Sequence, residues 1–254
     1  MRRLRVLMTR QEIVRERLPG STAVVVDTLL ATTTLLAILE NGARRVFPAE
    51  SLEAAAELCA RLDGRVLRGG EQDAERIEGY DLGPYPEEYA PEVVAGRDVV
   101  FVTTNGTRAI ADASSARRVL VGCPRNAPAL ARHLEDSEED SVYIVCAGSG
   151  GRFTLEDFLG AALIVGNMDA GSWRLNDAAW LALDLYGRLD DPLSVLRSGR
   201  TGRWFSENGH LDTLRFVAEV GASELVPEVR DGRLLAAGGA EVSTGGLARG
   251  REER

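Results

Sequence analysis

The chain has 254 residues, 44% of them hydrophobic and 27% charged, and a net charge of −9. That composition describes a globular protein long enough for one large or two modest cores. It excludes a membrane-spanning helix, because no apolar run approaches the ~18 residues such a helix needs. The acidic balance argues against nucleic acid or an anionic membrane as partner, while a local arginine pocket still admits a small anionic ligand. All 30 basic residues are arginine, which removes a Schiff-base lysine, a Walker lysine and a lysine general base. His133 and His210 are far apart in sequence, so a zinc site is not expected, and any metal should be a hard cation on carboxylates. Cys59, Cys123 and Cys146 are widely spaced, and the last two read as buried thiols. No apolar signal core follows the N-terminal arginines, and a cytoplasmic location is expected.

Strand-like and helix-like patterns alternate along the chain. Residues 23–27 predict a buried strand and residues 31–41 a helix stopped by Gly42. A short strand follows over 45–48, an amphipathic helix over 51–62 and another strand over 65–67. Residues 69–92, rich in Gly, Pro and acids, read as one long loop, and loops of that length are usually functional or disordered. Then come a strand at 99–103, a helix at 106–113, a strand at 118–122, a helix at 127–134 and a strong buried strand at 141–147. From there the chain reads as helical over 154–169, 174–188 and 209–220. Residues 226–235 suggest a hairpin around Asp231-Gly232. The expectation is a single domain over 1–237, with 238–254 a Gly-rich, charged, disordered tail. The alternation predicts an α/β fold, a three-layer α/β/α sandwich around a mostly parallel sheet. In such folds ligands bind where the carboxyl ends of strands meet helix starts.

Three strand ends carry the polar residues such a site needs. Asp27 ends the first strand and is followed by Thr32-Thr33-Thr34, a poor helix opening that suggests hydroxyls offered to a ligand. Capping and tolerance of buried threonine is the alternative. Thr103-Thr104-Asn105-Gly106-Thr107-Arg108 offers hydroxyls, an amide, a glycine backbone and a guanidinium at a helix start, which together make an anion site. The bland reading of that loop is an Asn105 N-cap. The third is the loop Gly148-Ser149-Gly150-Gly151, a candidate anion nest before Glu156 and Asp157. There Thr154 with Asp157 fits a capping pair and Phe153 with Phe158 a hydrophobic staple. Adjacent helical residues point ~100° apart, so one of Glu156 and Asp157 is expected to be structural. Glu71 and Asp81 sit among glycines in the long loop, a context for ligation. The Arg/Gly segment containing Arg200 and Arg203 suits a second anion. No dinucleotide fingerprint, Walker loop or Asp-x-Asp nucleophile motif is present.

In order, these segments resemble the magnesium-dependent 2-phosphosulfolactate phosphatases over about residues 20–230. The residues that carry the resemblance are Val25-Val26-Asp27 through Ala31-Thr32-Thr33, Gly69-Gly70-Glu71, Gly79-Tyr80-Asp81-Leu82-Gly83, Thr103 through Arg108, Cys146-Ala147-Gly148 and Leu155-Glu156-Asp157. Asn176 through Ala179 and Ser198 through Arg203 look like later blocks of the same family. The resemblance implies Mg²⁺-dependent hydrolysis of 2-phospho-3-sulfolactate to sulfolactate and phosphate. It places catalysis on Asp27, Glu71 and Glu156, and metal binding on Asp27, Glu71 and Asp81. Phosphate and substrate would fall to Thr32, Thr33, Thr104, Asn105, Gly106, Thr107, Arg108, Gly148, Arg200 and Arg203. The chain departs from the pattern at Leu30, where the family has arginine, at Thr201, where it has histidine, and at Pro84-Tyr85-Pro86. Those departures keep open a catalytically impaired anion-binding homologue; a nucleotide-binding α/β enzyme is a weaker third reading. The expected partner is a small anionic phosphoester, with no nucleic acid and no membrane, and a homodimer is the default assembly.

Overall fold

The computed structural model describes residues 1–237, so the expected tail over 238–254 lies outside the described residues. Eleven strands form one sheet: β1 Arg2–Leu7, β2 Thr22–Val26, β3 Arg45–Ala49, β4 Val66–Gln72, β5 Glu75–Arg76, β6 Asp98–Val102, β7 Arg118–Gly122, β8 Ser141–Cys146, β9 Trp173–Leu175, β10 Pro227–Arg230 and β11 Arg233–Ala236. The helices are α1 Ala31–Glu40, α2 Leu52–Arg61, α3 Pro91–Val94, α4 Gly106–Asp112, α5 Ala127–Glu135, α6 Leu155–Gly166, α7 Asp177–Gly187, α8 Pro192–Ser198, α9 Arg200–Glu207 and α10 Leu211–Ala218. The strand order is β5-β4-β6-β3-β11-β10-β7-β2-β8-β1-β9.

The alternation in β2 shows how the layers arise. Val24 and Val26 enter one core with α5 and α6, while Ala23 and Val25 enter a second core with α1 and α4. Successive side chains of a strand point to opposite faces, so a five-residue apolar run fills both layers. β2 runs parallel to β7 and β8 and ends level with them, Val26 opposite Gly122 and Cys146. β3, β4 and β6 form a second parallel block. The expected α/β architecture with a mostly parallel sheet is what the chain adopts.

The β10–β11 hairpin joins the two blocks, antiparallel to both neighbours. It turns at Asp231 and Gly232, both at positive φ (49° and 73°), as the Asp-Gly pair predicts. The hairpin pairs with β3 only at Val46 and with β7 only at Val119 and Leu120, residues near the amino ends of those strands. Toward their carboxyl ends the two blocks are therefore not bridged by it, and a crevice opens there.

Two expectations need correcting. β1 is absent from the sequence reading, which took its arginines only as a charged terminus. Leu4 and Val6 in fact alternate into the core, and the strand lies between β8 and β9. The stretch 69–92 is not a featureless loop, because β4 runs on to Gln72 and turns back into β5, with short helical turns after it. Gly70 makes the end of β4 possible: its φ is +123°, and a Cβ there would lie 1.8 Å from the Val102 carbonyl oxygen. No helix among the described residues is long and apolar enough to cross a membrane.

α6 is buried from Glu156 to Val165 and packs against α7, with Gly166 directly under the Tyr186 ring. A Cβ at Gly166 would sit 2.0 Å from Tyr186 Cγ, too near the ring's root for a rotamer change to relieve. Gly166→Ala should cost about 1–3 kcal/mol through overpacking. Urea unfolding checks this; an unchanged midpoint would show that the two helices are not in tight register.

Candidate active site

The crevice is a cavity of about 580 Å³ at the carboxyl edge of the sheet. Its walls come from the exits of β2, β6 and β8, from the end of β4 and from the starts of α6 and α9. Asp27, Glu71, Thr104, Asn105, Gly148, Glu156 and Arg200, seven of the residues singled out in the sequence, line it.

Asp27 stands at the centre of the acidic wall. It is 9% exposed, and α4 approaches so closely that a Cβ on Gly106 would lie 2.6 Å from Asp27 Oδ2. Burial raises its pKa well above the usual carboxylate value, and the charges of Asp157, Glu71 and Glu156 raise it further; only the Ala31 N–H opposes them. Asp157 is 2% exposed and is pushed up to about 7, by burial first and Glu156 second. None of these four carboxylates takes part in an ion pair among the described residues.

The adjacent acids divide their work as helical geometry requires. Asp157 accepts the Thr28 N–H and the Gly148 N–H, each at 2.9 Å, and so ties the exit of β2 to the exit of β8. This corrects the capping expectation, since the Thr154 side chain makes no cap hydrogen bond. The staple does form, with the Phe153 and Phe158 rings 5.6 Å apart. Glu156, 5% exposed, lies beside Gly199 at the start of α9. Glu71 accepts the Thr104 N–H at 2.6 Å, the Thr104 hydroxyl at 2.9 Å and the Ala74 N–H at 2.7 Å, which fixes the loop after β6 against the end of β4.

Several residues expected to meet ligand spend their polar groups on the scaffold. The Thr32 hydroxyl donates to the Asp27 carbonyl at 2.8 Å, the Thr33 hydroxyl to the Thr28 carbonyl at 3.0 Å and the Thr34 hydroxyl to the Pro84 carbonyl at 2.7 Å. Thr107 exchanges hydrogen bonds with Thr103. The threonine run is thus the alternative reading, side chains closing a turn against their own backbone. Arg108 reaches outward to the Glu50 carbonyl and Arg203 to the Ser198 carbonyl, and neither lines the cavity. Asp81 also lies off the cavity, accepting the Arg68 N–H at 2.9 Å with Arg65 and Arg68 nearby.

Sequence reasoning passed over the opposite wall. Tyr85, Trp204 and Phe205 line it with Leu29 and Leu30. Trp204 and Phe205 fall one turn after Arg200 and Thr201 on α9, so the i, i+4 spacing was the signal. Arg200 is the one arginine on the cavity wall among the described residues, and it donates to Ser149 Oγ at 3.2 Å.

The excess of carboxylate over guanidinium makes this cavity hostile to a bare phosphate dianion and receptive to a cation. No three His, Cys, Asp or Glu side chains form a ready-made metal cage among the described residues.

Comparison with known proteins points to one family. The family model for 2-phosphosulpholactate phosphatase matches residues 7–232. A protein of Symbiobacterium thermophilum, named probable 2-phosphosulfolactate phosphatase, is 39% identical over 225 residues, covering 87% of this chain and 96% of its own. Proteins of the same name from Caldanaerobacter subterraneus and Deinococcus radiodurans are each 36% identical, covering 82% and 85% of this chain and 88% and 90% of their own.

The raised carboxyls give a signed stability test. Asp157 holds in the folded chain, up to about pH 7, a proton that the unfolded chain releases near 3.8, and Asp27 is shifted in the same direction. Metal-free stability should therefore fall as pH rises through that window and remain at the lower level above it. Asp27→Asn removes one repelling charge at little change in shape. In chelator at about pH 8 it should raise Tm by about 3 °C or more, roughly a 1 kcal/mol change for a chain of this size, with the gain shrinking toward about pH 4. Equal melting of the two proteins at both pH values would contradict the repulsion.

Proposed function

The chain belongs to the 2-phosphosulfolactate phosphatase family, enzymes that hydrolyse a phosphoric monoester, and we propose that it hydrolyses 2-phospho-3-sulfolactate to sulfolactate and phosphate with Mg²⁺. The observation that carries the Mg²⁺ requirement is the cluster of buried Asp27, Glu156 and Asp157 with half-buried Glu71 on a cavity wall that, among the described residues, holds one arginine. Asp27 and Glu71 would hold the ion, which when bound supplies the charge neutralisation that the phosphoryl oxygens need. Asp81, off the cavity, drops out of that set.

The chain's own residues then orient the ester. Asn105, the Ser149 hydroxyl and the Arg200 guanidinium line the cavity and would donate to phosphoryl oxygens, while the Gly148 amide is already spent on Asp157. Phosphoryl transfer leans on positioning and electrostatic stabilisation, so a fixed donor set of this kind is chemically sufficient. Water's oxygen bonds to phosphorus as the bond from phosphorus to the carbon-2 oxygen breaks; Glu156, buried beside the start of α9, would pass a proton to the leaving alkoxide and recover one from the water that has become part of the phosphate.

Phosphate release from 2-phospho-3-sulfolactate, with Mg²⁺ and with chelator, tests this directly. Turnover should require the ion, and Asp27→Asn should lower kcat by at least about 10²-fold. Asp27→Asn turnover within a few-fold of wild type would overturn the assignment. Tight ester binding with no phosphate release under any divalent ion would favour the binding-only reading, for which Leu30 on the cavity wall is the motive.

A further inference from the structure

One half of the cavity has no part in phosphate chemistry. Leu29, Leu30, Tyr85, Phe205 and Trp204 line it, and the first four continue a single apolar core that also takes in Phe158. The Tyr85 and Phe205 rings lie 6.1 Å apart, and Trp204 meets Phe205 edge-on at 5.5 Å. Behind them His210 stacks on both Tyr85 and Trp204, at 4.6 Å and 5.6 Å, and pairs with the Tyr85 hydroxyl at 3.3 Å. The stack fixes the wall from behind.

Leu30 is 8% exposed, and that exposure is onto the cavity; Trp204 keeps 47% of its surface open at the rim. A half-exposed tryptophan lining a cavity beside a buried phenylalanine is surface that a ligand can cover. The volume of about 580 Å³ falls among pockets for drug-sized ligands and exceeds what a three-carbon ester fills. Among the described residues the cavity wall offers no second guanidinium besides Arg200.

We infer that this wall is a substrate subsite for an apolar group, and that the enzyme hydrolyses 2-phospho acids whose third carbon bears an aryl or branched alkyl substituent. The inference rests on the proposed phosphatase reading and adds a substrate class to it. The reaction is the same in every atom: phosphorus exchanges the carbon-2 oxygen for a water oxygen, and the departing 2-hydroxy acid takes the proton. Only the substituent differs, and it lies on Leu30, Tyr85, Phe205 and Trp204.

The experiment compares kcat/KM for the 2-phosphates of lactate and 3-phenyllactate, with 2-phospho-3-sulfolactate alongside. The phenyl ester should exceed the methyl ester by at least about tenfold, the order a filled apolar pocket provides. Trp204→Ala, at a position 47% exposed, should lower the phenyl-to-methyl ratio several-fold while phospholactate turnover reports that the variant is folded. Trp204 fluorescence should be quenched by phenyllactate phosphate at lower concentration than by phospholactate, a readout that does not need turnover. Turnover of the sulfonate with phenyl no better than methyl would overturn the subsite and leave the phosphatase reading standing. Absence of turnover on all three esters with tighter phenyl binding would overturn the phosphatase reading and keep the apolar subsite. Equal binding of both esters would overturn the subsite in either case.

Discussion

Four carboxylates crowd one dry crevice, and much of the sheet's carboxyl edge is arranged around keeping them there. Charges of one sign repel strongly in a buried site, and burial together with the neighbouring charges raises the proton affinity of Asp27 and Asp157. Such a cluster persists only if other interactions hold its members in place. Asp157 does so by taking two backbone N–H groups from different strand exits, and Glu71 by taking three donors from the β4 turn and the β6 exit. The acids thus stitch the loops together while facing one another. Removing a stitch would loosen the crevice, whereas removing Asp27, which ties no loop to another, relieves it.

The sheet supplies the constraint that makes the crevice. Two parallel blocks are joined by an antiparallel hairpin that reaches only their amino-end residues, so the carboxyl ends are left to be filled by loops and ligand. Glycine at 106 lets α4 cross that gap to within contact of Asp27, and any larger residue would force the blocks apart. Function here follows from where pairing stops. The same edge carries an apolar wall opposite the acids, which gives the cavity two chemically distinct ends.

Much of this was legible in the residues. Apolar runs ending in Asp27, Thr103 and Ala147 mark buried parallel strands and their polar exits, because a strand covered on both faces must be apolar throughout and can turn polar only at its end. The Asp231-Gly232 turn was equally plain. Side-chain direction was not legible. The threonines of α1 read as ligand donors because a β-branched run at a helix start needs a reason, and the reason is hydrogen bonding to the preceding backbone turn. Arg108 and Asp81 sit in motifs beside the crevice yet point to partners outside it, Glu50 and Arg68. Tyr85 and Trp204 meet across the fold from residues far apart in the chain, and only tertiary contact brings them to one wall. β1 escaped notice because its arginines masked the alternation of Leu4 and Val6.

The central claim is that buried carboxylates holding protons in the free enzyme give them up to a divalent cation. Proton release on Mg²⁺ binding tests it most directly, measured by titration calorimetry in buffers of different ionisation enthalpy. The account requires a fraction of a proton or more to leave per ion bound at about pH 6.5, with the number released falling as pH rises. Binding of Mg²⁺ with no proton released at about pH 6.5, or no binding at any pH, would contradict it.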